Sequence, residues 1–289
     1  MRDATTDGLL LVDKPVGVTS HDVVLAARRV FAESRIGHAG TLDPFATGLL
    51  VLLLGRATRL LPHLDGVPKE YEATIALGRE TETDDLEGAT VREAPAPPDE
   101  AIATAVATLT GHLAQVPPAY SAKRVAGRRA YEAARAGDVL ELQPSPVHVH
   151  EWRDVVRDGD ELRATIVCGG GTYIRALARD LGRLTGSAAH LSALRRVRSG
   201  PFYVADAASL EMIRAGHAVL RPALDALPTI PHVRLAGDDA ERVLRGMAVA
   251  REGTADRAAL VDERSGALVA FAEGDGPRWQ PRVVMRKVG

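Results

Sequence analysis

One stretch constrains the chain more than any other: GHAGTLDPFATGLLVLLLG, residues 37–55. Its first part, residues 37–48, holds three Gly, one His, one Asp and one Pro. That is loop chemistry, because Gly permits backbone angles other residues avoid and Pro44 fixes φ and removes a donor. Its second part, Leu49 to Leu54, is unbroken Leu and Val. A short apolar run closed by Gly predicts a strand buried on both faces. A polar loop is therefore tied directly to the core, with Asp43 at its middle. Pro44 biases Asp43 towards an extended conformation. A carboxylate mounted this way suits chemistry, although the ordinary reading of Asp-Pro is a turn in which Asp43 only accepts hydrogen bonds.

The chain has 289 residues, 46% of them hydrophobic, enough for one large core or two domains. The longest apolar run, Leu49 to Leu54, falls far short of the ~20 residues that span a bilayer. No secretory pattern precedes it, so the expectation is a soluble cytoplasmic protein. A single cysteine, Cys168, excludes an internal disulfide and reads as a small buried strand residue. The net charge of −2 conceals a segregated distribution. Residues 79–100 are net −6, residues 119–137 net +4 and residues 171–200 net +5. Such segments are either solvated helix faces or a basic surface for nucleic acid on a neutral protein.

Periodicity predicts a strand at 8–13, then a helix capped at Thr19-Ser20. After the loop and its buried strand come a short helix at 56–64 and a half-buried strand, KEYEATIAL, at 69–77. Asp99 is the expected cap of a helix at 100–110. Residues 119–137 read as an extended piece, a turn at Gly127 and a helix from about 128 to 136. Strands at 147–156 and 161–167 lead to Gly169-Gly170-Gly171. That triplet is either a phosphate cradle at a helix N-terminus or a tight strand-to-helix turn. The helix that follows carries Tyr173 and Arg175. A strand at 189–197 and a helix at 209–215 complete the larger part. Composition changes at 227–231. Beyond it a small β domain is expected, with a helix at 238–244 and strands near 258–261, 268–273 and 282–286. The fold class is α/β (α+β), a mixed, largely antiparallel sheet with flanking helices, and the expected domains are 1–227 and 228–289.

Common catalytic signatures are missing: no P-loop, dinucleotide fingerprint, HExxH or GxSxG occurs, and the nine His show no zinc spacing. No metal or cofactor is expected. Asp43, Tyr71, Tyr173 and Arg175 remain. An Arg beside a carboxylate keeps it ionised and oriented, at about 1.5–3 kcal/mol for a charge-assisted bond. The plain alternatives are a surface Arg and two tyrosines packed in the core.

The segments VDKPVGVTSHDVV, GHAGTLDPFATGLL, GRATRL, KEYEATIALG, TDDLEG, QVPPAYSAKRVAGRRAYEAARAG, GTYIRALARDLG and AHLSALRRVRSGPF occur in this order. From about residue 8 to 225 they resemble the bacterial TruB family, which makes pseudouridine at position 55 in the T-loop of tRNA. The resemblance implies a pseudouridine synthase fold and an isomerase without cofactor, working as an RNA-binding, tRNA-processing enzyme. Asp43 then matches the catalytic aspartate, Arg175 its partner arginine and Tyr71 the tyrosine that stacks on the target base. Tyr173 and Leu194 match the lining of the uracil pocket, and His38 the histidine that holds the opened T-loop. The implied partner is the T arm of tRNA, with no membrane and no required protein partner, and a monomer is the simplest expectation. Lys123-Arg124 departs from the family's usual apolar residue followed by Lys. The last 60 or so residues resemble only loosely the small RNA-binding domain (PUA) that often ends this family. A guide-RNA-directed synthase and a non-catalytic RNA chaperone are the rival readings.

Overall fold

The computed structural model describes residues 6–64, 66–120, 124–125, 128–129 and 142–285. The chain forms two compact units. One comprises Met1–Pro44, Gly48–Gly66 and Pro201–Gly289; the other comprises Phe45–Thr47 and Val67–Gly200. Among the described residues no helix is long and apolar enough to cross a membrane.

The first unit is built on β1 (Gly8–Lys14) and β3 (Thr47–Leu54), antiparallel from the Gly8–Leu54 pair to the Lys14–Gly48 pair. A short β2 (Ile36–His38) adds to β3, and β14 (Ala208–Ser209) adds to β1 in parallel. The apolar run is buried on both faces, as its composition demands. Leu10, Val12, Leu50, Leu52 and Leu54 meet Val23, Val24 and Ala27 of helix α1 (Ser20–Phe31). Leu9, Leu11, Leu49, Val51 and Leu53 point the other way, into a cluster with Phe271, Leu268 and Val283. Helix α1 begins where expected. Thr19 Oγ1 accepts from the Asp22 N–H at 3.1 Å and the Asp22 carboxylate accepts from the Thr19 N–H at 2.9 Å, a capping box.

The C-terminal segment has its own five-stranded sheet and a short helix, α5 (Gly237–Leu244). Strand β15 (His232–Leu235) is parallel to β17 (Arg257–Asp262). β18 (Leu268–Asp275), β19 (Arg278–Val284) and β16 (Val249–Ala250) follow antiparallel. β19 starts four residues before the expected strand, because Pro281 is carried at a register shift between Phe271 and Ala272 of its neighbour rather than ending the pairing. Trp279, 1% exposed, supplies the buried anchor.

The second unit is an antiparallel sheet. Its order is β12 (Ala189–Ser199), β4 (Lys69–Leu77), β11 (Glu161–Cys168), β10 (Ser145–Asp158) and β7 (Gly111–Gln115). Helix α3 (Ile174–Leu184) packs against β12. Gly182 permits the approach, since an added Cβ would collide with the Ala188–Ala189 backbone. Helix α2 (Asp99–Thr108) is capped by Pro98 rather than Asp99, whose carboxylate instead takes Arg157 at 2.7 Å. Arg128–Arg129 is a strand, β9, antiparallel to β8 (Arg124–Val125), not the start of a helix. The rest of that expected helix lies outside the described residues.

Candidate active site

Asp43 is held by its neighbours. The connection from β2 to β3 turns at Gly40 and Gly48, with φ of 92° and 98°, where only glycine is unstrained. Between them the main chain is gripped on both sides of Asp43. Buried Ser20 binds Leu42 reciprocally: its Oγ donates to the Leu42 carbonyl at 3.1 Å and accepts from the Leu42 N–H at 2.9 Å. The Pro44 carbonyl accepts from the Gly17 N–H at 2.9 Å and from Lys14 Nζ at 3.3 Å. Lys14 is fully buried, and its ammonium also donates to the carbonyls of Val18 at 2.7 Å and Pro15 at 3.0 Å. Each neutral bond of this set contributes about 0.5–1.5 kcal/mol, and each bond from the charged ammonium about 1.5–3 kcal/mol. Asp43 is half-buried. His38 closes β2, paired with Leu52 and likewise half-buried.

The other expected residues lie in the second unit. Tyr71, 7% exposed, sits on β4 opposite Arg196 of β12 and Ile166 of β11. Leu194, 8% exposed, sits opposite Ala73. Alternate residues of a strand share a face, so Tyr71, Ala73, Leu194 and Arg196 line one face of the sheet. Tyr173 is the N-cap of α3, and its side chain forms no cap. Arg175, in the first turn, is 5% exposed and therefore not a surface charge. Its guanidinium donates to Asp85 Oδ2 at 3.1 Å, the Thr83 carbonyl at 3.0 Å and the Tyr120 carbonyl at 2.9 Å. The structure thus brings Tyr71 to the face that carries Leu194 and fixes Tyr173 and Arg175 two residues apart at one helix start.

Around Arg175 the acidic and basic segments meet. Arg175, Arg179 and Arg183 recur every four residues on α3, one helical face. They pair with Asp85, Asp84 and Glu80 respectively. The three acids are 3–6% exposed. The segment 171–200 is therefore not mainly a basic surface: Arg175, Arg179 and Arg196 are interior, and two of these take carboxylates of the acidic segment. Burial pushes Asp84 up to about 6, and the neighbouring Arg179, Arg175 and Arg183 only partly restrain it. The Asp85 carboxylate is satisfied at its other oxygen by Thr83 Oγ1 at 2.5 Å and the Glu87 N–H at 3.0 Å.

The Gly169–Gly171 loop is a strand-to-helix turn. The Gly169 N–H is spent on the His148 carbonyl at 2.7 Å, and Thr172 Oγ1 donates to the Gly169 carbonyl at 3.1 Å. Among the described residues no three His, Cys, Asp or Glu are grouped to hold a metal ion.

Family profiles match in two consecutive blocks. TruB family pseudouridylate synthase (N terminal domain) covers residues 28–174, and tRNA pseudouridylate synthase B C-terminal domain covers 175–227. The chain belongs to the TruB family of pseudouridylate synthases. It is an isomerase that converts uridine to pseudouridine. A tRNA pseudouridine synthase B from Thermobifida fusca (strain YX) is 44% identical over 288 residues, 96% of this chain and 98% of the relative. One from Mycobacterium leprae (strain TN) is 44% identical over 294 residues, 97% and 91% of the two chains. The fold is shared with a chain in the structure of an H/ACA RNP bound to a substrate RNA containing 2'-deoxyuridine. That likeness has a TM-score of 0.72 at 23% identity, over 98% of this chain and 86% of that one. A chain of a Cbf5-Nop10-Gar1 complex gives 0.70 at 24%, over 97% and 85%. The pseudouridine synthase fold expected from the resemblance is the fold observed.

Within this TruB chain, several supporting residues escaped the sequence reading. Lys14 and Ser20 grip the Asp43 loop, Asp85 holds Arg175, and Gln115 holds Tyr173. Lys14 carried a signal, a charge ending an apolar strand before Pro. The spacing of Arg175, Arg179 and Arg183 carried another, but nothing local said that an acidic segment about 90 residues away would meet it.

Proposed function

We propose that this chain isomerises uridine 55 in the T-loop of tRNA, in the cytoplasm and without a protein partner. The observation that carries the reading is the mount of Asp43, half-exposed between two main-chain positions that Ser20, Gly17 and Lys14 hold. The substrate follows the names of the relatives at 44% identity. Asp43 is the catalytic carboxylate, and Arg175 is the arginine that keeps it ionised and oriented. Tyr71 stacks on the flipped uracil, Tyr173 and Leu194 line its pocket, and His38 supports the opened loop. Residues 1–227 carry the chemistry, and residues 228–289 form a small PUA-like segment; the second matched profile ends at residue 227.

The reaction cleaves the N1–C1′ bond, turns the uracil and forms C5–C1′, with a proton lost from C5 and one gained at N1. A carboxylate serves it as nucleophile at C6 or at C1′, or by assisting glycal formation. Flipping a paired or stacked base costs a few kcal/mol. Stacking on an aromatic ring returns about 1–3 kcal/mol.

The test is incubation of the purified chain with unmodified tRNA and mapping of pseudouridine. One modification at position 55 is expected from the lone chain. Asp43→Asn is expected to abolish it, by at least about 10⁴-fold in kcat, while tRNA binding persists. Turnover by Asp43→Asn would remove Asp43 from the mechanism; dependence on a guide RNA or on added proteins would favour the guide-directed reading.

A further inference from the structure

Tyr173 begins α3 with φ −99° and ψ 110°, an extended conformation, and its own side chain caps nothing. In an extended residue the N–H and C=O point the same way, so one primary amide can bind both. Gln115 does this. Its Oε1 accepts from the Tyr173 N–H at 2.9 Å and its Nε2 donates to the Tyr173 carbonyl at 3.1 Å. Gln115 is 3% exposed and ends β7, paired there with Ser145 of β10, so the amide comes from a rigid strand. The same carbonyl also accepts the first helical bond, from the Leu177 N–H at 3.2 Å. The chain leaving Gln115 is tied to α3 twice more, Arg179 donating to the Val116 carbonyl at 2.8 Å and Arg175 to the Tyr120 carbonyl at 2.9 Å.

We propose that Gln115 is a positioning residue for pseudouridine formation: its amide fixes the Tyr173 main chain and thereby aims the ring at the uracil pocket. The proposal rests on the assignment of Tyr173 to that pocket. The main-chain angles of Tyr173 set the direction of its Cα–Cβ bond. Without the amide, the one described side-chain hold on the N–H and carbonyl of this cap residue is gone. A ring displaced by an ångström at a reacting base lowers turnover by up to about 10²-fold without weakening the contacts that bind the rest of the RNA.

The experiment is a double-mutant cycle on kcat and KM with unmodified tRNA, joined to thermal unfolding of each variant. Gln115→Met keeps the length and volume of the side chain and removes both bonds. Gln115→Glu keeps the acceptor and loses the donor, and serves where Gln115→Met does not fold. The expected result is a fall in kcat of roughly 10- to 100-fold for Gln115→Met and a smaller fall for Gln115→Glu, with KM within about 2-fold. Adding either change to Tyr173→Ala should lower kcat no further. A full additional loss in the Tyr173→Ala background, or unchanged kcat in folded Gln115 variants, overturns the clamp. If Tyr173→Ala alone leaves kcat unchanged, the pocket assignment fails and the proposal with it. A uniform loss that tracks the thermal midpoint assigns Gln115 to stability and also overturns it.

Discussion

A single buried carboxylate shows how burial and pairing compete in this protein. Asp84 lies 2.9 Å from Arg179, a pairing that favours its charge, yet burial outweighs it and pushes Asp84 up to about 6 from an ordinary 3.8. The folded state therefore holds a proton that the unfolded chain has already lost between about pH 4 and 6. The stabilisation from protonating Asp84 is fully present below about pH 4 and is lost as pH rises from there through about 6. The chain is thus expected to lose, relative to Asp84→Asn, on the order of 1–3 kcal/mol of stability between pH 4.5 and 7. Urea denaturation of both proteins across that range measures it. A constant gap, or one that opens in the opposite direction, would show that the Arg179 pair dominates after all.

At the scale of the element, α3 binds the acidic segment along its length. Its first turn does so through Arg175 and Asp85, and its next two turns form two further rungs through Arg179 and Arg183. The two rungs differ in solvent. Arg179 and Asp84 have side chains 8% exposed, whereas the Arg183 side chain is 54% exposed over a Glu80 that is 6% exposed. Removing one partner of a buried pair strands a charge, at about 3–5 kcal/mol. Arg179→Ala should cost that much at pH 7.5, and Arg183→Ala only about 1–2 kcal/mol, because water reaches Glu80 once the half-exposed Arg is gone. Equal losses in chemical denaturation would refute the distinction. The helix itself was legible, from the apolar stripe Ile174, Leu177, Ala178 and Leu181. Its ladder was not. Charge segregation along the chain told of two opposite segments, but a count of charges does not say whether each faces solvent or the other. That depended on β4 and β12 lying side by side, a long-range pairing that periodicity does not encode.

For the whole molecule, the legible parts are those whose chemistry is local. The run Leu49–Leu54 has no polar residue to turn outward, so it had to be a strand covered on both sides, and it is. The alternation of Tyr71, Ala73, Ile75 and Leu77 gave β4 its exact bounds, and the shift in composition near residue 228 marked where a second sheet begins. What covers the run was not legible. One face meets α1, its neighbour in sequence; the other meets Phe271, Leu268 and Val283, more than 200 residues away. The boundary at 228 separates two sheets but not two cores. Phe271, fully buried, stacks on His63 at 4.2 Å between ring centroids, and Arg56 Nη1 donates to the Met285 carbonyl at 2.8 Å. The strand that anchors the Asp43 loop is therefore stabilised from the far end of the chain. Phe271→Ala should lower stability by about 3–5 kcal/mol. Its effect should reach the loop's anchor, so in a Trp152→Phe background tryptophan fluorescence from Trp279 and hydrogen exchange of the Leu50 and Leu52 amides should report one shared transition. If Trp279 melts while those amides stay protected, the C-terminal sheet unfolds alone, and the packing on Leu49, Val51 and Leu53 does not couple it to the Asp43 loop.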